Sequence, residues 1–126
     1  MKTQGEIEAA VCDAMRRFEQ EYIGRGPKDV HSYLAGDLLM VRLRGVLTAA
    51  EQHLVKTLPS DKGRQLLKQV RYQLIETARP VMEAMIYEVT GVEVLSLHHD
   101  ISTNTGEEVV IFALTKSPLF RETKKR

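Results

Sequence analysis

The sequence has no tryptophan and only one cysteine, Cys12, among its 126 residues. A single thiol excludes an internal disulfide and any zinc site built from several thiolates of one chain. No apolar run reaches the roughly 18 to 20 residues that a membrane-spanning helix needs, and the start of the chain lacks the apolar stretch of a signal peptide. We therefore expect a cytoplasmic protein without a transmembrane segment, and nothing in the composition calls for a cofactor.

Charge is nearly balanced over the whole chain, with a formal net charge of +1, but its distribution is uneven. Five basic residues and one acidic residue lie from Lys116 to Arg126, so the rest of the chain is net acidic. Nucleic-acid affinity depends mainly on neutralising phosphates, and an acidic body therefore argues against a nucleic-acid partner. We expect one domain over residues 1–116 and a basic, flexible tail over residues 117–126.

A first helix is predicted by apolar residues at three- and four-residue spacing. This stripe comprises Ile7, Val11, Ala14, Met15, Phe18 and Tyr22. Thr3 and Glu6 have the spacing of a capping box. Gly24 suits the left-handed residue that closes a helix, so the helix is expected to lie between Thr3 and Gly24.

Segments 29–34 and 38–44 predict an antiparallel hairpin with a tight turn at Gly36. On one face of this hairpin the predicted cross-strand pairs are Leu34 with Leu39, Ser32 with Val41, and Val30 with Leu43. Tyr33 then faces Met40 on the opposite side.

Two further helices are predicted before the last strands. Thr48 and Glu51 form a second capping-box pattern, which opens a short helix. Ser60 can cap the helix that follows, whose apolar period lasts until Gly91. At 1.5 Å per residue this long helix measures about 45 Å, more than the roughly 36 Å diameter of a domain of this size. It is therefore expected to bend at Pro80 or to lie along a partner subunit.

Segments 92–102 and 107–115 predict a second hairpin, with Gly106 at the left-handed position of a three-residue loop. The predicted pairs on one apolar face are Ile101 with Val109, His99 with Ile111, and Leu97 with Ala113. The opposite face then carries Val94, His98, Asp100, Val110, Phe112 and Leu114. A sheet covered by helices on one side normally shows polar residues on the other, so this second face is too apolar to remain bare.

This two-sided apolar character predicts a homodimer, formed by packing sheet faces or by exchanging the long helix. The predicted interface residues are Tyr33, Met40, Val110, Phe112 and Leu114. A register shifted by one residue is the alternative explanation, and it would reverse the faces.

The segment His98-His99-Asp100 is the densest cluster of potential metal ligands or acid-base groups. In a strand His98 and Asp100 point to one side and His99 to the other, so a metal or pH-sensing site at His98 and Asp100 needs a further group from elsewhere. A structural explanation is simpler, with His99 in the core and His98 at the dimer contact.

Two groups of basic residues are candidates for binding anions. Arg25 and Lys28 lie in a Gly-Arg-Gly-Pro-Lys turn, where flexible backbone and two cations are a candidate anion site. A helix cap followed by a turn explains the same glycines equally well. Arg64, Lys68 and Arg71 share one face of the long helix and are candidates for contact with RNA or acidic lipid, although such a row is more often a solvated face.

Three separated motifs occur in order along the chain. They are Phe18-Glu19-Gln20-Glu21-Tyr22-Ile23-Gly24-Arg25-Gly26-Pro27, then Gly36-Asp37-Leu38-Leu39-Met40-Val41-Arg42-Leu43 with Leu47-Thr48, and Leu97-His98-His99-Asp100-Ile101-Ser102 with Thr105-Gly106-Glu107-Glu108. Together they resemble the bacterial MpsC-like domain family over residues 5–115. The family's name refers to a membrane-potential-generating, cation-translocating system, so the resemblance implies an accessory role near ion or bicarbonate transport. It supplies no catalytic residues that could be carried over to this chain.

We therefore expect an α+β domain of order α-β-β-α-α-β-β, in which two hairpins form one four-stranded antiparallel sheet with helices packed on it. The expected function is a non-enzymatic cytoplasmic accessory or regulatory module that binds a membrane transport or signalling protein. The alternatives are a metal-dependent enzyme that uses the His-His-Asp strand and a nucleic-acid-binding protein.

Overall fold

The computed structural model describes residues 1–57 and 61–122. Its elements in chain order are α1 (Gln4–Phe18), a π-helical turn (Glu19–Ile23), β1 (Asp29–Ala35), β2 (Leu38–Arg44), α2 (Ala49–Thr57), α3 (Lys62–Thr90), β3 (Val94–Ile101) and β4 (Glu108–Leu114). The strands form one antiparallel sheet in the order β1-β2-β4-β3. The predicted α+β class and element order are confirmed.

Helix α1 begins at the predicted capping box. The Glu6 backbone N–H donates to the Thr3 hydroxyl at 3.1 Å, and the Thr3 backbone N–H donates to the Glu6 carboxylate at 2.8 Å. The predicted apolar stripe is buried from Ile7 to Phe18, whereas Tyr22 remains 53% exposed. Gly24 closes the π-helical turn with φ of 92°, which confirms the expected left-handed residue.

The first hairpin has the predicted register. Leu34 pairs with Leu39 and Tyr33 with Met40, and Gly36 in the turn has φ of 64°. Leu34 and Leu39 lie in the core, and Tyr33 lies 45% exposed on the opposite face. The short turn fixes the register, and the register fixes the two faces.

The predicted register of the second hairpin is wrong by one residue. Ile101 pairs with Glu108 instead of Val109, because the Ser102 N–H donates to the Glu107 carbonyl and encloses a four-residue loop. This shift turns the alternate residues of β4 to the helix-covered face. Three predicted interface residues are therefore core residues, with exposed fractions of 0%, 0% and 2%: Val110, Phe112 and Leu114.

The two later helices follow the sequence pattern where the structure describes them. Thr48 and Glu51 form the predicted capping box before α2. The expected helix cap at Ser60 lies outside the described residues. Helix α3 continues through Pro80 and ends at Gly91, whose φ is 73°.

Helices α1 and α3 lie against the same face of the sheet, so the other face is open within the described part of the chain. Apolar side chains occupy its middle: Tyr33, Leu38, Met40, Val109, Ile111 and Ala113. The middle of the open face is therefore apolar, but β4 contributes other residues to it than the sequence predicts, and Arg42 pairs with Glu107 toward one end of the face. The described part of the predicted tail runs beside the N-terminus, where the Arg121 N–H donates to the Lys2 carbonyl at 2.8 Å.

Candidate functional site

Three charged side chains meet in the core between the helices and the sheet. The Arg71 Nη2 atom lies 2.6 Å from Glu108 Oε1 and 3.3 Å from Glu19 Oε1. Each of these residues is 1% exposed. Charged groups are almost never buried to this extent unless they are paired, so two carboxylates on one guanidinium form the most unusual feature of the core.

Local structure explains how each member reaches the core. Arg71 lies between Leu67 and Ile75 on the buried stripe of α3, with four-residue spacing on both sides. Glu108 begins the buried alternation of β4. Glu19 is the first residue of the π-helical turn and is buried together with its neighbour Phe18. π-Helical turns are frequent at functional sites.

The electrostatics of this cluster favour one bound proton near neutral pH. Burial raises the pKa of Glu19 to about 7, the neighbouring Glu108 charge acts in the same direction, and Arg71 opposes both. Burial also raises the pKa of Glu108, against the lowering effect of Arg71. The charge of Glu51 makes a smaller contribution that raises both pKa values. The two carboxylates and the guanidinium therefore keep a proton at a pH at which exposed carboxylates are already ionised.

The cluster retains unused hydrogen-bonding capacity. Among the described residues, Glu19 Oε2 and the Nε and Nη1 atoms of Arg71 are buried without a hydrogen-bond partner. A protonated Glu19 changes the hydrogen-bond requirement of this cluster, because it gains a donor where the carboxylate has only acceptors. The cluster therefore has the properties of a protonation-sensitive structural element.

A cavity of about 250 Å³ lies beside the cluster, between α3 and β3. Arg71 and Glu108 line it from one side, and His99 and Tyr72 contribute to its wall. His99 is a core residue, as the sequence predicts: its Nε2 atom lies 2.8 Å from a Glu76 carboxylate oxygen, and its ring stacks on Tyr72. These two contacts fix the orientation of the His99 ring, and the Nε2 atom is already paired with Glu76.

The other two members of the His-His-Asp segment are exposed and do not converge. His98 Nε2 lies 3.3 Å from the Ser96 hydroxyl. Asp100 pairs with Lys68 at 3.1 Å and accepts from the Ile101 N–H. Partial burial acts to raise the pKa of Asp100, but these two contacts outweigh it and lower that pKa. Within residues 1–57 and 61–122, no group of three His, Cys, Asp or Glu side chains is arranged to hold a metal ion.

The candidate anion residues lie in the turn before β1. The Arg25 Nη1 atom donates to the Leu47 carbonyl at 2.9 Å, which ties the turn to the loop after β2. Lys28 is exposed, and its methylene stem packs over Gly45. Arg25 thus has a structural partner, and anion binding by Arg25 and Lys28 stays a prediction.

The basic row predicted on α3 is wrong at one position. Arg64 is exposed and Lys68 is half exposed, but Arg71 lies in the core. Arg71 faces inward because it shares the stripe of Leu67 and Ile75. That spacing was the available signal for the buried cluster.

Two of the three sequence motifs meet at the buried cluster. Glu19 comes from the first motif, and His99 and Glu108 come from the third. Glu108 joins Arg71 and Glu19 directly, and His99 shares the adjacent cavity with Arg71 and Glu108. The motifs therefore identify the packing centre of the fold.

Comparison with known proteins places the chain in one family. A family model described as "Na+-translocating membrane potential-generating system (MpsC)" matches residues 3–116. The chain is 34% identical over 113 residues to Bacillus subtilis "Uncharacterized protein YbcI", covering 90% of this chain and 89% of that protein. It is 26% identical over 106 residues to "Uncharacterized protein YrhF" of the same organism, covering 82% and 84% of the two chains.

No solved structure matches the chain. In the described residues, no helix has both the length and the apolar character of a membrane-spanning segment.

Proposed function

Since this chain belongs to the MpsC family, we propose that it is a non-enzymatic accessory or regulatory module of a membrane-associated cation-translocating system. The family description supports the association with Na⁺ translocation. We further propose that the module works in the cytoplasm by binding proteins, a membrane transport or signalling protein among them. The observation that carries this proposal is the apolar open face of the sheet.

The open face has the composition of a contact surface. Across its middle row Tyr33 lies beside Met40, Met40 beside Ile111, and Ile111 beside His98. Leu38, on the next row, is 42% exposed. An exposed sheet face usually carries polar side chains, so this apolar middle favours a covered state.

The proposed occupant of the open face is a second copy of the chain. Four strands of seven or eight residues cover about 19 by 24 Å, or about 450 Å² of plan area per copy. Side-chain relief makes the accessible area larger than the plan area, so two copies approach the roughly 1,200 Å² at the lower end of stable interfaces. Tyr33 and Met40 remain in this proposed interface, with Ile111 replacing the buried residues of β4.

The oligomeric test uses a charge placed in the middle of the open face. Met40→Glu should dissociate the sheet-face contact, because burying an unpaired carboxylate opposes association. Lys56→Glu, on the exposed side of α2, is the matched control and should leave the mass unchanged. Light scattering coupled to size-exclusion chromatography measures both. An unchanged mass for Met40→Glu would refute the sheet-face contact.

The cellular test uses a strain from which the gene is deleted. This strain is compared with the same strain carrying the wild-type gene or the Met40→Glu variant. Sodium-dependent membrane potential, read with a potential-sensitive dye, should fall in the deletion strain and be restored by the wild type. An unchanged potential in the deletion strain would contradict the accessory role. Stoichiometric metal in untagged protein, lost on His98→Ala, would instead support the metal-dependent enzyme.

A further inference from the structure

The solvent side of α3 lacks charge over most of its length. Eight exposed residues face outward between Leu66 and Tyr87, and none of them is charged: Leu66, Gln69, Val70, Gln73, Thr77, Pro80, Ala84 and Tyr87. A solvated helix face normally carries charged side chains. The charged side chains of this segment lie elsewhere: Arg71 is in the core, and Lys68 and Glu76 contact Asp100 and His99 of β3.

This uncharged surface forms one wall of an apolar groove. The other wall is the π-helical turn, which contributes Tyr22 and Ile23. The groove has a volume of about 640 Å³, and none of its ten lining residues is charged. Leu66 and Val70 are 44% and 45% exposed, so the groove presents large apolar side chains to water.

The distribution of charge along α3 favours a partner whose acidic and basic residues run in the opposite order. Outside the core, residues 62–68 contain three basic and no acidic side chains, whereas residues 76–88 contain three acidic side chains and one basic. Basic residues in the first turns of a helix are unfavourable, because the N-terminus of the helix dipole is itself positive. A second α3 in antiparallel orientation places an acidic half beside each basic half.

We propose that the outward face of α3 binds the same face of α3 in a second copy of the chain, in antiparallel orientation about a two-fold axis. An axis between Gln73 and Leu74 gives a closed, isologous contact. The pairs across it are Leu66 with Val81 of the partner subunit, Val70 with Thr77 of the partner subunit, and Gln73 with Leu74 of the partner subunit. All of these positions line the groove.

The arrangement matches general features of helix pairing. Apolar pairs lie at both ends of the contact, and the Gln73 amides lie near the axis, where a polar residue can specify register and orientation. Thr77 and Ala78 are small, so they allow the partner helix to approach closely. Tyr22 and Ile23 then contact the second α3 from the side.

The sheet-face contact lies on the other side of the domain, so the two contacts together link copies into an open assembly larger than a dimer. The wild type should therefore have more than twice the mass of the 14.3 kDa chain, and this mass should rise with concentration. Leu66→Glu/Val70→Glu should reduce the assembly to two copies, as should Met40→Glu, and combining the three substitutions should leave single chains. Gln65→Glu, on the opposite flank of α3, is the matched control and should leave the assembly intact.

Crosslinking tests the orientation directly. In a Cys12→Ala background, Gln73→Cys should form a disulfide-linked dimer under mild oxidation, because residues near the axis come within disulfide reach. Gln65→Cys should stay monomeric on a non-reducing gel. Circular dichroism confirms that every variant retains its helices, so a change in mass reports association.

Each of the two proposed interfaces can be refuted without refuting the other. If Leu66→Glu/Val70→Glu leaves the mass unchanged and Gln73→Cys does not crosslink, the α3 contact is refuted and the sheet-face contact stands. If Met40→Glu leaves the mass unchanged while the α3 variants dissociate a dimer, the sheet-face contact is refuted and the α3 contact stands.

Discussion

The strongest quantitative prediction concerns the proton held by Glu19. Its pKa is about 7 in the folded chain and 4.5 in the reference state. Between these values the folded chain binds a proton that the unfolded chain has released. Folding is therefore favoured at low pH, and stability falls as pH rises through this window. A difference of about 2.5 pKa units corresponds to about 3 kcal/mol.

Glu19→Gln mimics the protonated side chain at every pH. Compared with the wild type, this variant should become more stable by up to about 3 kcal/mol as pH rises from 5 to 8. Urea denaturation at a series of pH values measures the free energy of unfolding of both proteins. Other groups titrate in the same way in both proteins, so their contributions cancel when the two free energies of unfolding are subtracted.

Glu21→Gln is the matched control, because Glu21 is an exposed carboxylate of the same π-helical turn. The free energy of unfolding of Glu21→Gln, relative to the wild type, should hardly change with pH. A flat difference for Glu19→Gln over the same range would show that Glu19 is ionised in the folded chain, and the proposed protonation of the cluster would then be wrong.

Four further substitutions test the core and the cap, each by urea denaturation at neutral pH, and for Arg71→Met also at low pH. Arg71→Met leaves Glu19 and Glu108 buried without their cation and should cost about 3 to 5 kcal/mol, with a smaller loss at low pH; an equal loss at both pH values would contradict this. Phe112→Ala should cost about 3 to 5 kcal/mol, whereas Ile111→Ala on the open face should cost clearly less, and the reverse order would contradict the observed register. Thr3→Ala removes the α1 cap and should cost about 1 kcal/mol.

The first hairpin could be predicted in full because its turn is short. Gly36, with positive φ, leaves one register that also sorts Leu34 and Leu39 onto the core face. The second turn has no such constraint. Thr103, Asn104, Thr105 and Gly106 fit a three- or a four-residue loop, and the choice between the two decides which face of β4 is buried.

The buried cluster could not be predicted from the sequence as long as charged residues were assigned to the surface. Arg71 belongs to a basic row in sequence, yet its spacing from Leu67 and Ile75 places it on the apolar stripe. Glu108 likewise precedes an alternating apolar strand. Only the packing of α3 on β4 shows that the two charges meet, because a contact between distant segments leaves no periodic signal in either segment.

The buried cluster and the proposed α3 interface share one helix. Arg71, in the cluster, and Leu66, in the outward face, lie on the same helix, five residues apart. A change in protonation that repositions α3 would thus be transmitted to the interface. Measuring the assembly at pH 5 and pH 8 with the wild type and Glu19→Gln tests this link, and a pH effect that persists unchanged in Glu19→Gln would exclude Glu19 as its source.

The mass of the full chain in solution tests the central claim most directly. Sedimentation velocity over a range of micromolar concentrations should show assemblies larger than a dimer that pass through two copies on dilution. A single species of 14.3 kDa at every concentration would contradict the account, because the apolar sheet face and the uncharged face of α3 would then remain in water.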